Sequence, residues 1–348
     1  MNLNLLGWNS YWEKYRLEHQ LEKSRLGRVT LVHMDAFVLM DSQGETRRVA
    51  MVAQTVAVGD WVEWSPIAGS AEQGQLVRIL PRRGKISRKS AGRRTQEQVL
   101  ATNVDHIYIV SALDNEFRPA RLERYLTMAW QSGASPVLVL NKADACSDPT
   151  PFLEAAEEVA LGIPIHVVSS TTGLGLEELA PYHGPGKTVV LVGSSGVGKS
   201  TLVNCLLQEQ HQRTGAVRED DKRGRHTTTH REMIALHSGG VLIDTPGLRE
   251  LQLWSEPEAL DAVFEDVDKL SDNCQFRDCT HDTEPGCAVR DAVISGQLSR
   301  RRLDNYKKLQ RELAYLASRG PSQTWQQRKE GRKQQKMFRE AKTIKRNR

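Results

Sequence analysis

Short apolar runs separated by turn residues mark the first part of the chain. Glycines such as Gly44, Gly59 and Gly69 occupy the breaks between the runs. The β-like runs lie at residues 28–34, 36–40, 46–53, 60–65 and 75–80. Five short strands within some fifty residues predict a small closed barrel, and we expect one of the OB-like kind.

A different periodicity precedes these runs. Within residues 1–25, Trp8, Trp12, Tyr15 and Leu21 recur at near-helical spacing. This spacing predicts an N-terminal amphipathic helix.

Strand-like and helix-like segments alternate from about residue 100. Strands are predicted at 105–112, 136–140, 164–168, 187–192 and 240–243, and helices at 119–131 and 151–160. The runs Val137–Leu140 and Val189–Val192 are continuously apolar, which is typical of parallel strands covered on both faces. The pattern predicts an α/β domain, and after Leu253 the chain becomes helical, polar and cysteine-containing.

Composition narrows the class of protein. The chain has 348 residues, of which 39% are hydrophobic and 26% charged, as in soluble globular proteins. Its sequence contains neither an apolar run of the roughly 18 residues that cross a membrane nor a secretory signal. We therefore expect a cytoplasmic protein that has no membrane partner. We also expect a monomer.

Positive charge is concentrated in two segments. Residues 319–348 contain eleven Lys/Arg and two Glu, and residues 82–94 contain seven basic residues and no acid. One such run is usually a solvated surface or linker. Two runs in one nucleotide-binding chain favour a polyanionic partner, most simply RNA.

The strongest motif is a phosphate-binding P-loop. Residues Gly193–Ser200 read G-S-S-G-V-G-K-S, between a predicted strand and a predicted helix. Lys199 is expected to reach the β- and γ-phosphates of a nucleotide, and Ser200 to ligate Mg²⁺. A chance match in a glycine-rich turn is the alternative, and the strand–loop–helix context disfavours it.

Two further motifs accompany the P-loop. Asp244–Gly247 reads D-T-P-G, in which Asp244 can hold Mg²⁺ through water and the Gly247 N–H can face the γ-phosphate. Asn141–Asp144 reads N-K-A-D, in which Asp144 can accept hydrogen bonds from guanine. Asn141 would bridge to the P-loop or to the base, and the stem of Lys142 can cover the ring. The guanine motif precedes the P-loop here, whereas in Ras-like enzymes it follows.

Other residues extend this site. Ser169 and Ser170 follow a predicted strand at the place of a further base-contacting loop. Thr228 and Thr229 are candidates for a switch that closes over Mg²⁺ and the γ-phosphate. Leu248 stands where Ras-like enzymes place a water-orienting glutamine. Within the chain, His226 could supply that function, and a solvent-exposed histidine without a catalytic role is the equal alternative.

A cysteine cluster predicts a metal centre. Cys274, Cys279, His281 and Cys287 lie within 14 residues, and three thiolates with one imidazole suit a structural zinc site. Reduced cysteines beside a surface histidine are the alternative. Cys146 and Cys205 stand alone and are expected to be buried thiols.

The motif order, the segment Gly224–Thr229, the cysteine spacing and the predicted barrel together resemble one family, over roughly residues 28–318. It is the bacterial circularly permuted ribosome small-subunit-dependent GTPase A family. The resemblance implies a multidomain α/β protein with an OB-like barrel, a circularly permuted Ras-like P-loop GTPase domain and a helical zinc-binding domain. It also implies GTP hydrolysis stimulated by the small ribosomal subunit, late maturation of that subunit, and rRNA binding.

The expected sites follow residue by residue. Catalytic roles fall to His226, Lys199, Thr228, Thr229 and Gly247. Nucleotide contacts fall to Asn141, Lys142, Asp144, Ser169, Ser170, Gly193, Ser194, Ser195, Gly196, Val197, Gly198, Lys199, Ser200, Thr201 and Asp244. Ser200 and Asp244 would hold Mg²⁺ with GTP, and Cys274, Cys279, His281 and Cys287 one structural Zn²⁺. The expected domains are a helical extension at 1–25, the barrel and basic linker at 26–98, the GTPase domain at 99–254, the zinc domain at 255–318 and a basic tail at 319–348.

Two other functions stay open from the sequence. The chain could be an RNA-binding module in which nucleotide is only structural. It could also be an ATP-using kinase or ATPase, since these share the P-loop, although Asp144 argues for guanine.

Overall fold

The computed structural model of the chain describes residues 3–33, 35–50, 56–89, 97–207, 231–244 and 258–318. The strands are β1 (Leu26–Val32), β2 (Ala36–Asp41), β3 (Thr46–Ala50), β4 (Trp61–Ile67), β5 (Ser70–Ile79), β6 (Lys85–Lys89), β7 (Glu97–Thr102), β8 (His106–Ala112), β9 (Ser135–Asn141), β10 (Ile165–Val167), β11 (Thr188–Val192), β12 (Arg231–Ala235) and β13 (Val241–Asp244). The α-helices are α1 (Ser10–Glu18), α2 (Pro119–Ser132), α3 (Thr150–Glu157), α4 (Lys199–Leu207), α5 (Glu258–Val263), α6 (Glu265–Ser271), α7 (Ala288–Ile294) and α8 (Arg300–Ser318).

The first five strands form the predicted closed barrel. Their order is β1-β2-β3-β5-β4, and β4 pairs back onto β1. The β3–β5 pair is parallel and the other pairs are antiparallel, which is an OB-like arrangement. Alternate side chains such as Val29, Phe37, Leu39 and Val49 fill the interior, because successive residues of a strand face opposite sides.

The prediction of one helix over residues 1–25 is wrong. A 3₁₀ segment at Leu3–Leu6 ends at Gly7, whose φ is +95°. The α-helix starts only at Ser10, with the Asn9 side chain accepting a hydrogen bond from Tyr11 N. The near-helical spacing of aromatic residues has another cause, because Trp8 and Trp12 both pack on Trp61 of the barrel.

Strands β8 to β13 form the predicted parallel sheet. Their order is β10-β9-β8-β11-β13-β12, with β12 antiparallel to β13 and the other pairs parallel. The strand that precedes the P-loop, β11, lies at the centre, and helix α4 follows it. The continuous apolar runs of β9 and β11 are fully buried, as their sequences predict.

One strand is shared by the barrel and the parallel sheet. Besides its barrel neighbours, β1 pairs with β12, where Leu31 lies opposite Glu232 and Val32 opposite Arg231. The described residues form two compact units, one within 1–88 and 99–252 and the other within 89–98 and 253–348. The barrel and the parallel sheet therefore belong to one unit.

The second unit contains helices α5 to α8. Leu260, Phe264, Val267 and Leu303 are buried in its core. Arg302 is also buried, and its guanidinium binds both carboxylate oxygens of Asp266 at 2.5 and 2.7 Å. This pairing satisfies the charge of Arg302 inside the unit. Among the described helices of both units, none combines the length and the apolar character that a membrane span requires.

Candidate functional site

Three loops meet at one edge of the parallel sheet. The P-loop follows β11, the N-K-A-D segment starts at the last residue of β9, and the Ser169–Ser170 loop follows β10. The carboxyl ends of parallel strands lie at the same edge of a sheet, which is where open α/β sheets bind ligands. The structure thus brings together three segments that are distant in sequence.

Asn141 connects these three loops. Its side-chain Nδ2 donates to the Val197 carbonyl of the P-loop at 2.9 Å. Its Oδ1 accepts hydrogen bonds from the backbone N–H and the hydroxyl of Ser170, at 3.0 and 2.9 Å. Asn141 is only 2% exposed. Of the two bridges that the sequence left open, the structure therefore contains the one to the P-loop.

The P-loop backbone needs glycine at two contact points. Gly193 has a φ of +145°, and a Cβ there would lie 2.2 Å from the Val110 carbonyl oxygen. Gly198 has a φ of +92°, and a Cβ there would lie 2.3 Å from Nδ2 of Asn141. These close approaches hold the loop against β8 and the N-K-A-D segment, leaving its N–H groups at the start of α4, where helices bind anions.

Lys199 and Arg121 are basic groups that make hydrogen bonds at this loop. Lys199 Nζ donates to the Gly193 carbonyl at 2.8 Å and also to the Ser194 carbonyl. Arg121 of α2 donates to the Ser194 hydroxyl at 2.8 Å. The sequence analysis missed Arg121, because nothing in its surroundings in the chain indicates a contact 73 residues away.

Asp144 is ordered by the neighbouring serine loop. The Ser169 hydroxyl donates to Asp144 Oδ1 at 2.6 Å. Ser169 Oγ in turn accepts hydrogen bonds from the backbone N–H groups of Thr171 and Thr172. These contacts place a carboxylate at the exposed rim of the site, where it can accept hydrogen bonds from a bound base.

Lys142 is held by a carboxylate that the sequence analysis did not include. Its Nζ lies 3.0 Å from Asp114 Oδ2. Burial raises the pKa of Asp114, but the hydrogen bonds from Lys142 and from the Glu116 N–H outweigh it, and the net pKa is below the usual value. Asp114 follows the carboxyl end of β8, and that position is the signal that could have found it.

The remaining predicted site residues fall partly inside and partly outside the described part of the structure. Asp244 ends β13 at the same sheet edge, and Ser200 and Thr201 lie in the first turn of α4. His226, Thr228, Thr229, Gly247 and Leu248 fall among the residues that the structure does not describe.

The four predicted metal ligands come together in the second unit. The ligand atoms of Cys274, Cys279, His281 and Cys287 all lie within 4.8 Å of one another. His281 Nδ1 is 3.4 Å from Cys287 Sγ and 3.7 Å from Cys274 Sγ, and these two sulfurs are 3.9 Å apart. Tetrahedral zinc, with Zn–S bonds of about 2.3 Å, requires ligand atoms roughly 3.5–3.8 Å apart. The cluster can therefore hold a metal ion of this kind.

Ser271 orients the histidine of this cluster. The Ser271 hydroxyl donates to the Val267 carbonyl at 2.8 Å, and its oxygen lies 3.1 Å from His281 Nε2. Since the hydroxyl proton is already used, the oxygen accepts from Nε2–H. This assigns the proton of a neutral imidazole to Nε2 and leaves the Nδ1 lone pair facing the sulfurs, as a metal ligand requires.

One thiol of this cluster has a raised pKa. Burial, with contributions from the sulfurs of Cys287 and Cys274, raises the pKa of the Cys279 thiol to about 11. A coordinated metal ion deprotonates a thiol outright and so compensates this effect. The donor set and its geometry thus fit one closed four-ligand site.

Two side chains outside the donor set fix the loop that carries His281. The Glu284 carboxylate accepts from the N–H groups of Thr280, Asp282 and Thr283, at 2.9, 2.9 and 3.1 Å. Lys307 of α8 donates to the His281 carbonyl and to Asp282 Oδ1, both at 2.6 Å. Neither Glu284 nor Lys307 was predicted, since their roles depend on the folded loop.

Comparison with known protein families gives two matches. The family model described as RsgA GTPase matches residues 79–254. A model described as ABC transporter matches residues 176–343, a segment that includes the P-loop common to many nucleotide-binding families.

Individual proteins are similar over most of the chain. "Small ribosomal subunit biogenesis GTPase RsgA 1" of Oceanobacillus iheyensis is 43% identical over 88% of this chain and 92% of its own. "Small ribosomal subunit biogenesis GTPase RsgA" of Opitutus terrae is 44% identical over 92% of each. The crystal structure of YjeQ from Thermotoga maritima is 28% identical, with a TM-score of 0.63 over 85% of this chain and 99% of that one.

A second solved structure supports the fold. YloQ, described as a circularly permuted GTPase, is 24% identical, with a TM-score of 0.60 over 85% of this chain and 96% of that one. In this chain the order is permuted relative to Ras-like enzymes, because the guanine-type segment after β9 precedes the P-loop after β11.

Proposed function

Since this chain belongs to the RsgA GTPase family, we propose that it hydrolyses GTP in the biogenesis of the small ribosomal subunit. The observation that carries the proposal is the bridge from Asn141 to Val197 and Ser170. It fixes a carboxylate-bearing segment suited to guanine beside a phosphate-binding loop, and this arrangement supports GTP over ATP.

We propose the following roles around the nucleotide. Asp144 accepts hydrogen bonds from guanine, and the P-loop N–H groups and Lys199 bind the phosphates. Ser200 and Asp244 hold Mg²⁺, which supplies charge neutralisation of the phosphates when bound. Gly247, Thr228 and Thr229 as γ-phosphate contacts and His226 as the group that orients water remain predictions from the sequence.

We also propose that the ligands Cys274, Cys279, His281 and Cys287 hold one structural Zn²⁺. Support comes from the donor atoms of Cys274, His281 and Cys287, which lie 3.4 to 3.9 Å apart, from the four donor atoms all lying within 4.8 Å of one another, and from the orientation of His281. As partners we propose the small subunit and its rRNA, with a monomer acting in the cytoplasm. Support for an RNA partner comes from the basic residues 82–94 and 319–348.

Ser271→Ala should lower the affinity for zinc about 10- to 100-fold, the usual effect of losing a partner that orients a ligating histidine. The measurement is competition with a zinc chelator, followed by a colorimetric indicator. Ser295→Ala is a matched control, because the Ser295 hydroxyl likewise donates to a helix carbonyl, that of Ala292, but touches no donor atom. Equal zinc affinity in the two variants would contradict the proposed role of Ser271.

Asp144→Asn should reduce the preference for GTP over ATP by about 100-fold. The carboxylate is the group that accepts from guanine, and hydrogen bonds to a charged group contribute about 1.5–3 kcal/mol. Competition of unlabelled GTP, ATP and XTP against a fluorescent nucleotide measures the preference. Because Asn offers an amide donor that suits the carbonyl of xanthine, XTP binding should rise in the same variant. An unchanged GTP/ATP ratio would show that Asp144 does not contact the base.

GTP turnover with and without purified small subunits tests the function as a whole. We expect subunits to increase phosphate release by at least tenfold in the wild type. His226→Ala should lose most of this stimulated rate and keep its affinity for GTP. A wild type that binds subunits but shows no stimulation would favour an RNA-binding module in which nucleotide is structural.

A further inference from the structure

Arg28 is a buried arginine at the junction between the barrel and the parallel sheet. It lies on β1 and is 1% exposed. Its guanidinium donates to the Gly59 carbonyl at 3.2 Å, the Asn103 carbonyl at 3.1 Å and the Thr188 hydroxyl at 2.8 Å, and also to the Leu6 carbonyl. Three carbonyl oxygens and one hydroxyl oxygen thus accept hydrogen bonds from this buried, positively charged group.

The four acceptors belong to four different parts of the first unit. Leu6 is in the N-terminal segment, Gly59 in the barrel, Asn103 in the connection after β7, and Thr188 at the start of β11. Burial lowers the pKa of Arg28 to about 10, against the opposing effect of Asp105 and Asp60, so the side chain is charged at neutral pH. A buried charge is unfavourable unless its hydrogen bonds are in place, so these four parts must keep their spacing.

Thr188 connects this junction to the P-loop. It is the first residue of β11, whose last residue, Val192, directly precedes Gly193. The start of β11 is further fixed by Asp105, because the Thr188 N–H donates to Asp105 Oδ2 and the Thr188 carbonyl accepts from Asp105 N, both at 2.9 Å. A strand of five residues spans about 16 Å, so a shift at Thr188 moves the backbone that enters the P-loop.

The guanidinium is tightly packed. Gly7 has a φ of +95°, and a Cβ there would lie 2.5 Å from Arg28 Nη1 and 3.3 Å from Thr188 Oγ1. The Trp61 ring lies 5.3 Å from the guanidinium carbon. Because β1 pairs with β2, β4 and β12, Arg28 also lies on a strand that connects the barrel to the parallel sheet.

Asn103, one of the acceptors of Arg28, also accepts through its side chain from the backbone N–H of Arg83, within the basic residues 82–89. We propose that Arg28 is a positioning residue that transmits RNA contact at these basic residues to the P-loop through its hydrogen bond with Thr188. The proposal rests on the proposed function and adds the route by which a bound subunit accelerates GTP hydrolysis. Arg28 touches neither nucleotide nor RNA in this account. It acts by connecting the start of β11 to this junction, so that a displacement of the junction when RNA binds reaches the P-loop.

Thr188→Val tests the route directly, because it removes the hydroxyl and keeps the β-branched shape. We expect unstimulated turnover, GTP affinity and subunit affinity to stay within twofold of wild type, and subunit-stimulated turnover to fall at least tenfold. Thr188→Ser, which keeps the hydroxyl, should restore most of the stimulation. Thr127→Val is the matched control, since Thr127 is also fully buried and its hydroxyl donates to the Glu123 carbonyl within α2.

The outcomes separate this inference from the proposed function. Full stimulation of Thr188→Val, whatever its melting temperature, would overturn the coupling role and leave the proposed function intact. Equal loss of stimulation in Thr188→Val and Thr127→Val would also overturn it, because any buried threonine would then have the same effect. A wild type that subunits do not stimulate would overturn the proposed function and this inference with it.

Discussion

Gly198→Ala should weaken GTP binding about 1000-fold. The new Cβ would lie 2.3 Å from Asn141 Nδ2, so the amide must move and its hydrogen bonds to Val197 and Ser170 must break. The φ of +92° adds left-handed strain of about 1–2 kcal/mol. With about 1 kcal/mol for each of three lost hydrogen bonds, the total is about 4 kcal/mol, and 1.4 kcal/mol corresponds to a factor of ten.

Titration of a fluorescent GTP analogue measures this effect, and Gly162→Ala is its control. Gly162 also has a positive φ, +69°, but a Cβ there would meet nothing within 4 Å. Gly162→Ala thus has the same kind of left-handed backbone strain but no steric clash of the new Cβ. We expect its GTP affinity to remain within threefold of wild type. Near-equal affinities of the two variants would show that Asn141 does not hold the P-loop and the guanine-type segment together.

Cys287→Ser should remove the metal and unfold the second unit. Cys287 is buried, and its sulfur lies within 3.9 Å of both Cys274 Sγ and His281 Nδ1. Binding of zinc contributes roughly 10–16 kcal/mol to folding in small zinc domains, which exceeds the usual stability of a domain. Zinc content should fall from one ion per chain to near zero, and amide protection of α5 to α8 should be lost.

Cys146→Ser is the control for this experiment, because Cys146 lies outside the cluster. Hydrogen exchange with mass spectrometry reports both units in one measurement. The P-loop and Asn141 belong to the first unit, so GTP binding should survive in Cys287→Ser. Retained protection of α5 to α8 in zinc-free Cys287→Ser would show that the helical core is stable without the metal.

Motifs with a local physical cause could be predicted from the sequence. The P-loop needs glycines and a strand–helix context, and both are visible in a short segment. The four metal ligands lie within 14 residues, so their spacing alone predicts that they form one cluster. The barrel and the parallel sheet follow from the periodicity and continuity of apolar runs, which burial dictates.

Contacts between distant segments could not be predicted in the same way. Asn141 and Val197 are 56 residues apart, and whether the amide bridges to the loop or to the base depends on how the sheet edge closes. Arg28 reaches Thr188 across 160 residues, and no property of either segment indicates the other. The prediction for the N-terminal segment was wrong, because its tryptophans pack on Trp61 and the α-helix starts only at Ser10, after Gly7.

The central position of β11 also constrains the order in which this protein can fold as it is synthesised. Val189 pairs with His106 on one side and with Leu242 on the other. The strand β11 therefore inserts between β8, which is synthesised long before it, and β13, which is synthesised well after it. The guanine-type segment leaves the ribosome first, yet its Asn141 has no P-loop to bind until β11 follows. Contacts between residues so distant in sequence form slowly. A nascent chain that ends before β13 leaves one edge of β11 unpaired, where it can pair with a wrong strand.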